Sequence, residues 1–147
     1  MNKPKIFIDG EHGTTGLQIQ ERLAGRTDIE QLTLAHGDRH SKDKRAEMLR
    51  AADIAILCLP DDASRESVVL AKGAPTRFID ASSAYRTAPN WAFGFPELTK
   101  GQPEVIAIAQ YVSNPGCYST GAIALLRPLI EAGALPADYP QIGRAHV

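Results

Sequence analysis

The sequence predicts an α/β fold, a doubly wound and mostly parallel sheet with helices on both faces. Three observations predict it. Short apolar runs alternate with longer amphipathic ones in the order β-α-β-α-β-α-β-loop-β-α. A glycine-rich turn joins the first apolar run directly to the first helix. The third apolar run, residues 53–59, is continuous rather than alternating, as expected of a strand covered on both faces. Right-handed crossovers between such strands gather their carboxyl ends at one edge of the sheet.

The first strand is Lys5-Ile6-Phe7-Ile8-Asp9. Gly10-Glu11-His12-Gly13-Thr14-Thr15-Gly16 follows at once, with glycines spaced G-x-x-G-x-x-G. Leu17, Ile19, Leu23 and Ala24 then mark an amphipathic helix ending near Gly25. A strand, a glycine turn and a helix in this order form a phosphate cradle of the Rossmann-like type, because glycine permits close backbone approach and the helix N-terminus attracts anions. Gly10, Gly13, Thr14, Thr15 and Gly16 are therefore candidate cofactor residues.

The second strand is expected over 29–35. An NAD site usually carries an acid at the end of this strand. Here the strand ends in Ala35-His36-Gly37, and Asp38 is flanked by Arg39, His40, Lys42, Lys44 and Arg45. The missing acid and the clustered cations favour a 2′-phosphate, hence NADP(H), with Arg39 as the candidate contact. A solvated basic loop is the alternative. A second helix is expected over 43–51, with Ala46, Met48 and Leu49 facing the core.

The third strand contains Cys58, read as a buried strand residue, and ends in Leu59-Pro60. Leu59 and Pro60 lie where an open α/β sheet binds ligand, so they are candidate cofactor contacts, although packing explains them as well. Asp61 or Asp62 is expected to cap the next helix, which runs to about Ala71 with Val68, Val69 and Leu70 inside. The fourth strand is Arg77-Phe78-Ile79-Asp80. The loop after it, Ala81 to Arg86, offers hydroxyls and an arginine; Ser82 is a further cofactor candidate. Trp91, Phe93 and Phe95 cluster in a segment read as either a lid or a small satellite core. Val105-Ile106-Ala107-Ile108-Ala109 is read as the fifth strand, continuing through Tyr111 and Val112.

That strand leads into Ser113-Asn114-Pro115-Gly116-Cys117-Tyr118. Asn-Pro and Pro-Gly form turns, and the run from Ala122 to Leu126 is helical. Cys117 is thus expected in the first turn of a helix, where unpaired amides and the helix dipole favour a thiolate. An exposed nucleophile is one reading, and a small inert residue at a helix start is the other.

Composition narrows the function classes. The 147 residues carry a net charge of -1, which points to neither nucleic acid nor an anionic membrane. No apolar run approaches the roughly 20 residues of a membrane span, and a reducing cytoplasm is the expected compartment. Cys58 and Cys117 form no disulfide framework or metal pattern. The last six residues, Ile142-Gly143-Arg144-Ala145-His146-Val147, have no periodicity and match one reading frame of a widely used sequencing adapter. They are read as an artefactual tail, with the chain expected to continue beyond about Gln141; a natural short tail is the alternative.

Four stretches together resemble N-acetyl-gamma-glutamyl-phosphate reductase in the shorter of its two sequence types. They are residues 7–16, 79–86, 94–98 and 113–118, and the resemblance extends to about Gln141. It implies NADPH-dependent reduction of N-acetylglutamyl phosphate to N-acetylglutamate semialdehyde, with release of phosphate, in arginine biosynthesis. It implies that Cys117 attacks the acyl phosphate to form a thioester, which hydride converts to a thiohemiacetal that collapses to the aldehyde. Asn114 is then expected to orient the small-molecule substrate, and Arg86 to bind its phosphate or carboxylate. A turn former and a surface ion pair are the respective alternatives. The expected organisation is a cofactor domain over 1–116, the start of a catalytic domain over 117–141 and the tail over 142–147. The rest of an α+β catalytic and dimerisation domain is expected to be missing, with the whole protein a homo-oligomer. The family uses a histidine of that second domain as general acid/base. His12, His36, His40 and His146 do not match its motif, so this chain alone is expected to turn over poorly. Two further readings are an enzyme like aspartate-semialdehyde dehydrogenase and a catalytically silent dinucleotide-binding module.

Overall fold

The computed structural model describes residues 3–138. It forms two compact units, Met1–Pro115 and Gly116–Val147. The proposed tail and His146 lie outside the described residues.

The first unit is a six-stranded parallel sheet in the order β2-β1-β3-β4-β6-β5. The strands are β1 (Lys5–Asp9), β2 (Glu30–Leu32), β3 (Ile54–Leu57), β4 (Arg77–Asp80), β5 (Ala92–Phe93) and β6 (Tyr111–Ser113). Its helices are α1 (Thr14–Leu23), α2 (Lys42–Ala51), α3 (Asp61–Leu70) and α4 (Gln102–Ile108). The register aligns Phe7 with Ala55 and Ala55 with Phe78, then Asp9 with Leu57 and Leu57 with Asp80. Aligned residues of parallel strands share a face. That face carries the core, in which Leu49, Ala52 and Ala71 meet Phe7, Ala55, Leu57 and Phe78.

Several elements differ from expectation. Residues 105–108 are helical, as part of α4, and not strand. A short apolar run does not distinguish the two by periodicity. Pro103 favours a helix start, and the Arg77 guanidinium donates to the carbonyls of Ile106, Ala107 and Ala109 at 2.9–3.1 Å, satisfying the helix C-terminus. The sixth strand then begins only at Tyr111. The second strand is three residues long instead of seven; Leu34 still packs on the core, and His36–Asp38 form a 3-10 turn. The third strand alternates half-buried Ile54 and Ile56 with fully buried Ala55 and Leu57, and is not buried on both faces. Cys58 falls just beyond it and is half-buried.

The helix over 61–70 buries Ser64 and Ser67 completely, whereas Val69 is 68% exposed. Neither Asp61 nor Asp62 caps it: Pro60 holds the N-cap position, and Asp61 is the first helical residue. Within the aromatic segment, Trp91 packs on the core. Trp91 stacks on Tyr85 with centroids 4.0 Å apart and tilts onto Tyr111 at 5.1 Å, and Tyr111 stacks on Phe78, so the cluster extends the main core. Within this segment, β5 pairs with β6 at the sheet edge.

The second unit contains helix α5 (Cys117–Glu131). Ala124 to Leu126 and Leu129 to Ile130 make it strongly apolar, and Leu125 is 73% exposed. Among the described residues no helix is long and apolar enough to cross a membrane.

Candidate functional site

The site is built where β1 enters the glycine turn. Gly10 has φ +89°, a left-handed conformation that glycine adopts without steric cost. A Cβ there would lie 2.4 Å from the Cys58 carbonyl oxygen. The Gly13 amide donates to the Gly10 carbonyl at 3.1 Å, closing the turn, and Gly13 is the N-cap of α1. Gly16 is buried in the first turn of α1, where a Cβ would lie 2.3 Å from the Gly10 oxygen. The three glycines thus serve different ends: Gly10 makes the turn, Gly13 starts the helix, and Gly16 seats the helix closely on the loop. Thr14 and Thr15 are exposed in the first helical turn, where helix amides lack intrahelical partners.

Against this loop lies a cavity of about 370 Å³ lined by Asp9, Gly10, Glu11, His12 and Gly13 from the β1 end. Phe7 and Ile8 of β1, with Leu34, Arg39, His40, Arg45, Leu59 and Ala63, complete its walls. The structure therefore brings Gly10, Gly13, Arg39 and Leu59 together in one pocket. Gly16 stands behind the loop, and Pro60 and Ser82 are outside this lining. The cavity, the glycine turn and the helix start fit a dinucleotide.

The basic segment is not one undivided patch. Arg45 is buried: its Nη2 lies 3.0 Å from Asp9 Oδ2, its Nη1 lies 2.8 Å from Glu66 Oε2, and it also donates to Ser67 Oγ at 2.7 Å. Burial opposes the charge, but bonds and charge from Asp9 and Glu66 outweigh it and hold the guanidinium above its usual range. Lys42 pairs with Glu66, and Lys44 with Glu47. Glu66 is held below the ordinary carboxyl range, first by Lys42 and then by Arg45. Arg39 contacts His40 at 3.2 Å, and among the described residues no carboxylate lies in ion-pair range of it.

Further along the carboxyl edge, Asp80 is fully buried and accepts hydrogen bonds from the hydroxyls of Ser64 and Ser82. Ser82 Oγ also accepts from the Ala84 amide at 3.1 Å, so its hydroxyl is engaged in holding the loop after β4. Asp61 accepts from the amide and hydroxyl of Ser83 at 3.0 and 2.8 Å, and these bonds, the hydroxyl's first, keep its carboxyl below the ordinary range. Arg86 Nε is buried and has no hydrogen-bond partner among the described residues. Asn114 is exposed; its backbone amide donates to the Asp80 carbonyl at 2.7 Å, and its side-chain amide nitrogen lies 3.4 Å from the Pro115 carbonyl.

The two cysteines differ. Burial, then the Asp80 and Asp9 carboxylates, pushes the Cys58 thiol up to about 11, which makes it a poor nucleophile. Cys117 is exposed at the first position of α5, after Gly116 as N-cap. The hydroxyls of Ser119 and Thr120 both donate to the Gly116 carbonyl, at 2.8 and 3.0 Å, and fix this helix start. No acidic residue occupies the first turn.

Sequence reasoning missed the buried polar layer: Asp9, Arg45, Ser64, Ser67 and Asp80. The spacing of Ser64 and Ser67, three apart on one helix face, was the available signal.

This parallel sheet and its glycine-loop pocket define a dinucleotide-binding α/β domain. The model of the family described as semialdehyde dehydrogenase, NAD binding domain, matches residues 5–107, and the chain belongs to that family. Among curated proteins it is 67% identical over 139 residues to the N-acetyl-gamma-glutamyl-phosphate reductase of Brucella suis, and 66% identical over the same length to that of Brucella ovis. Each match covers 94% of this chain and 45% of the relative, so the chain spans about half the length of these relatives. Solved structures share the fold. The aspartate semialdehyde dehydrogenase II of Vibrio cholerae complexed with ASA gives a TM-score of 0.63 at 17% identity, over 89% of this chain and 47% of that one. The aspartate semialdehyde dehydrogenase with NADP from Candida albicans gives 0.61 at 13% identity, over 89% and 48%.

Proposed function

We propose that the chain is the cofactor domain and nucleophile helix of an NADPH-dependent N-acetyl-gamma-glutamyl-phosphate reductase, acting in arginine biosynthesis. The observation that carries this reading is the 67% identity to a reductase of that name over nearly the whole chain. Cys117, exposed at a helix start, has the accessibility that a nucleophile requires. Its thiolate attacks the acyl carbon, the carbon–oxygen bond to phosphate breaks, and phosphate leaves with that electron pair. NADPH, when bound, supplies the hydride that reduces the resulting thioester. Cys117 finally departs as thiolate when the aldehyde forms. Arg86, with its unpartnered Nε, suits the substrate's phosphate or carboxylate, and Asn114 suits its orientation. Gly10, Gly13, Thr14 and Thr15 would hold the diphosphate, with Gly16 seating the helix behind them; Arg39 would meet the 2′-phosphate and Leu59 would line the nucleotide site, with Pro60 beside it. Ser82 acts through Asp80 by holding the adjacent loop.

Aspartate-semialdehyde dehydrogenase activity is the alternative. The solved structures of that activity lie at 13–17% identity and support the shared fold only. The test uses the chain extended to the length of its relatives, with NADPH consumption followed on both acyl phosphates. Consumption is expected with N-acetylglutamyl phosphate and not with aspartyl phosphate, and Cys117→Ser is expected to abolish it. The opposite substrate preference would replace this reading.

A further inference from the structure

The pocket contains a charge conflict. Asp9 immediately precedes Gly10, is 5% exposed and lines the same cavity as Gly10 and Gly13. A diphosphate brought to that loop carries charge of the same sign. Water screens poorly inside a protein wall, so an unpaired carboxylate there would repel the ligand. The chain answers from 36 residues away. Arg45 directs Nε at both Asp9 oxygens, at 3.3 Å each, and Nη2 at Oδ2 at 3.0 Å, while Ser67 Oγ donates to Oδ2 at 2.7 Å. The remaining guanidinium nitrogen pairs with Glu66, which pairs in turn with Lys42. Arg45 and Lys42 balance Asp9 and Glu66, so the cluster carries no net charge.

We propose that Arg45 is a positioning residue for the nucleotide: its guanidinium cancels Asp9 in the pocket wall and so admits a diphosphate to the glycine loop. The inference rests on the dinucleotide reading above, and extends it to a buried residue outside the loop. A salt bridge that only stabilised the fold would change stability and leave binding indifferent to the charge on Asp9.

The experiment is titration of the chain with NADPH and with NADH, read by nicotinamide fluorescence at low and high salt. Arg45→Met leaves the carboxylates in excess. It is expected to weaken both nucleotides about tenfold or more at low salt, and less at high salt, where charge repulsion is screened. Adding Asp9→Asn removes the uncompensated charge and is expected to recover most of that loss; Arg45→Lys is expected to recover part. Binding by Arg45→Met within about twofold of the unaltered chain, or no recovery in the double variant, overturns the proposal. Should Arg45→Met not fold, Asp9→Asn alone decides: it leaves the cation in excess and is expected to tighten NADPH binding, and weaker binding overturns the proposal. If the unaltered chain binds neither nucleotide, the dinucleotide reading falls and takes this inference with it. Binding by the unaltered chain without the variant pattern removes the inference alone.

Discussion

Gly16→Ala sets two magnitudes against each other. Helix propensity alone favours alanine over glycine by about 1 kcal/mol in a helix interior. Gly16 sits in α1, so a purely local argument predicts stabilisation. The packing opposes it. The new Cβ would lie 2.3 Å from the Gly10 oxygen, 2.7 Å from the Glu11 Cα and 2.9 Å from the Glu11 carbonyl carbon. All three are backbone atoms, so no rotamer change relieves the overlap, and helix and loop must separate by about 1 Å to reach ordinary contact. Overpacking costs roughly 1–3 kcal/mol, and a rigid backbone partner places this case at the upper end. The net expectation is a loss of about 2 kcal/mol, or a fall in Tm of about 8 °C. A loop displaced by about 1 Å is also expected to weaken NADPH binding substantially. Gly121→Ala is the control. It lies in α5 with nothing within 4 Å of the added Cβ beyond its own helix, and is expected to gain about 0.5–1 kcal/mol. Thermal melts of both variants and an NADPH titration make the comparison. A Gly16→Ala protein as stable as the unaltered chain, with unchanged binding, would refute the packing argument.

Thiol labelling near pH 8 is expected to modify Cys117 quickly and Cys58 only slowly. With the Cys58 thiol at about 11, roughly one molecule in a thousand carries its thiolate at that pH. The slow phase should survive Cys117→Ser and accelerate about tenfold per pH unit until pH approaches 11; two equal fast phases would contradict the assignment. Because the unfolded chain ionises Cys58 first, its contribution to stability is lost as pH rises from the ordinary thiol range toward 11, and Cys58→Ala should show a smaller loss in alkaline melts. Arg39→Ala is expected to weaken NADPH about tenfold and to leave NADH unchanged, since only NADPH carries the 2′-phosphate; an equal loss for both would remove Arg39 from that role. Arg77→Met removes three hydrogen bonds to carbonyls at the end of α4. It should cost about 1–2 kcal/mol and raise hydrogen exchange in α4 ahead of the sheet core, as read by exchange mass spectrometry.

The α/β alternation, the strands around Lys5–Asp9 and Arg77–Asp80, the glycine turn and the helix that opens at Cys117 were all legible in the sequence. Each depends on neighbours within a few residues, so local patterns of glycine, proline and apolar spacing suffice to specify it. Tertiary structure decided what those patterns leave degenerate. Val105 to Ala109 suits strand and helix equally, and Pro103 together with carbonyl acceptors for Arg77 made it helical. Arg45 reads in sequence as one cation of a basic loop. Only the fold brings it to Asp9, 36 residues distant, and separates it from Arg39, which faces the pocket without a carboxylate partner among the described residues. Ser64 and Ser67 read as ordinary helix-surface residues until the sheet places Asp80 and Asp9 beneath them. The physical reason is common to these cases. A buried charge or hydroxyl is stable only with a specific partner, and the identity of that partner is a property of chain crossings rather than of local sequence.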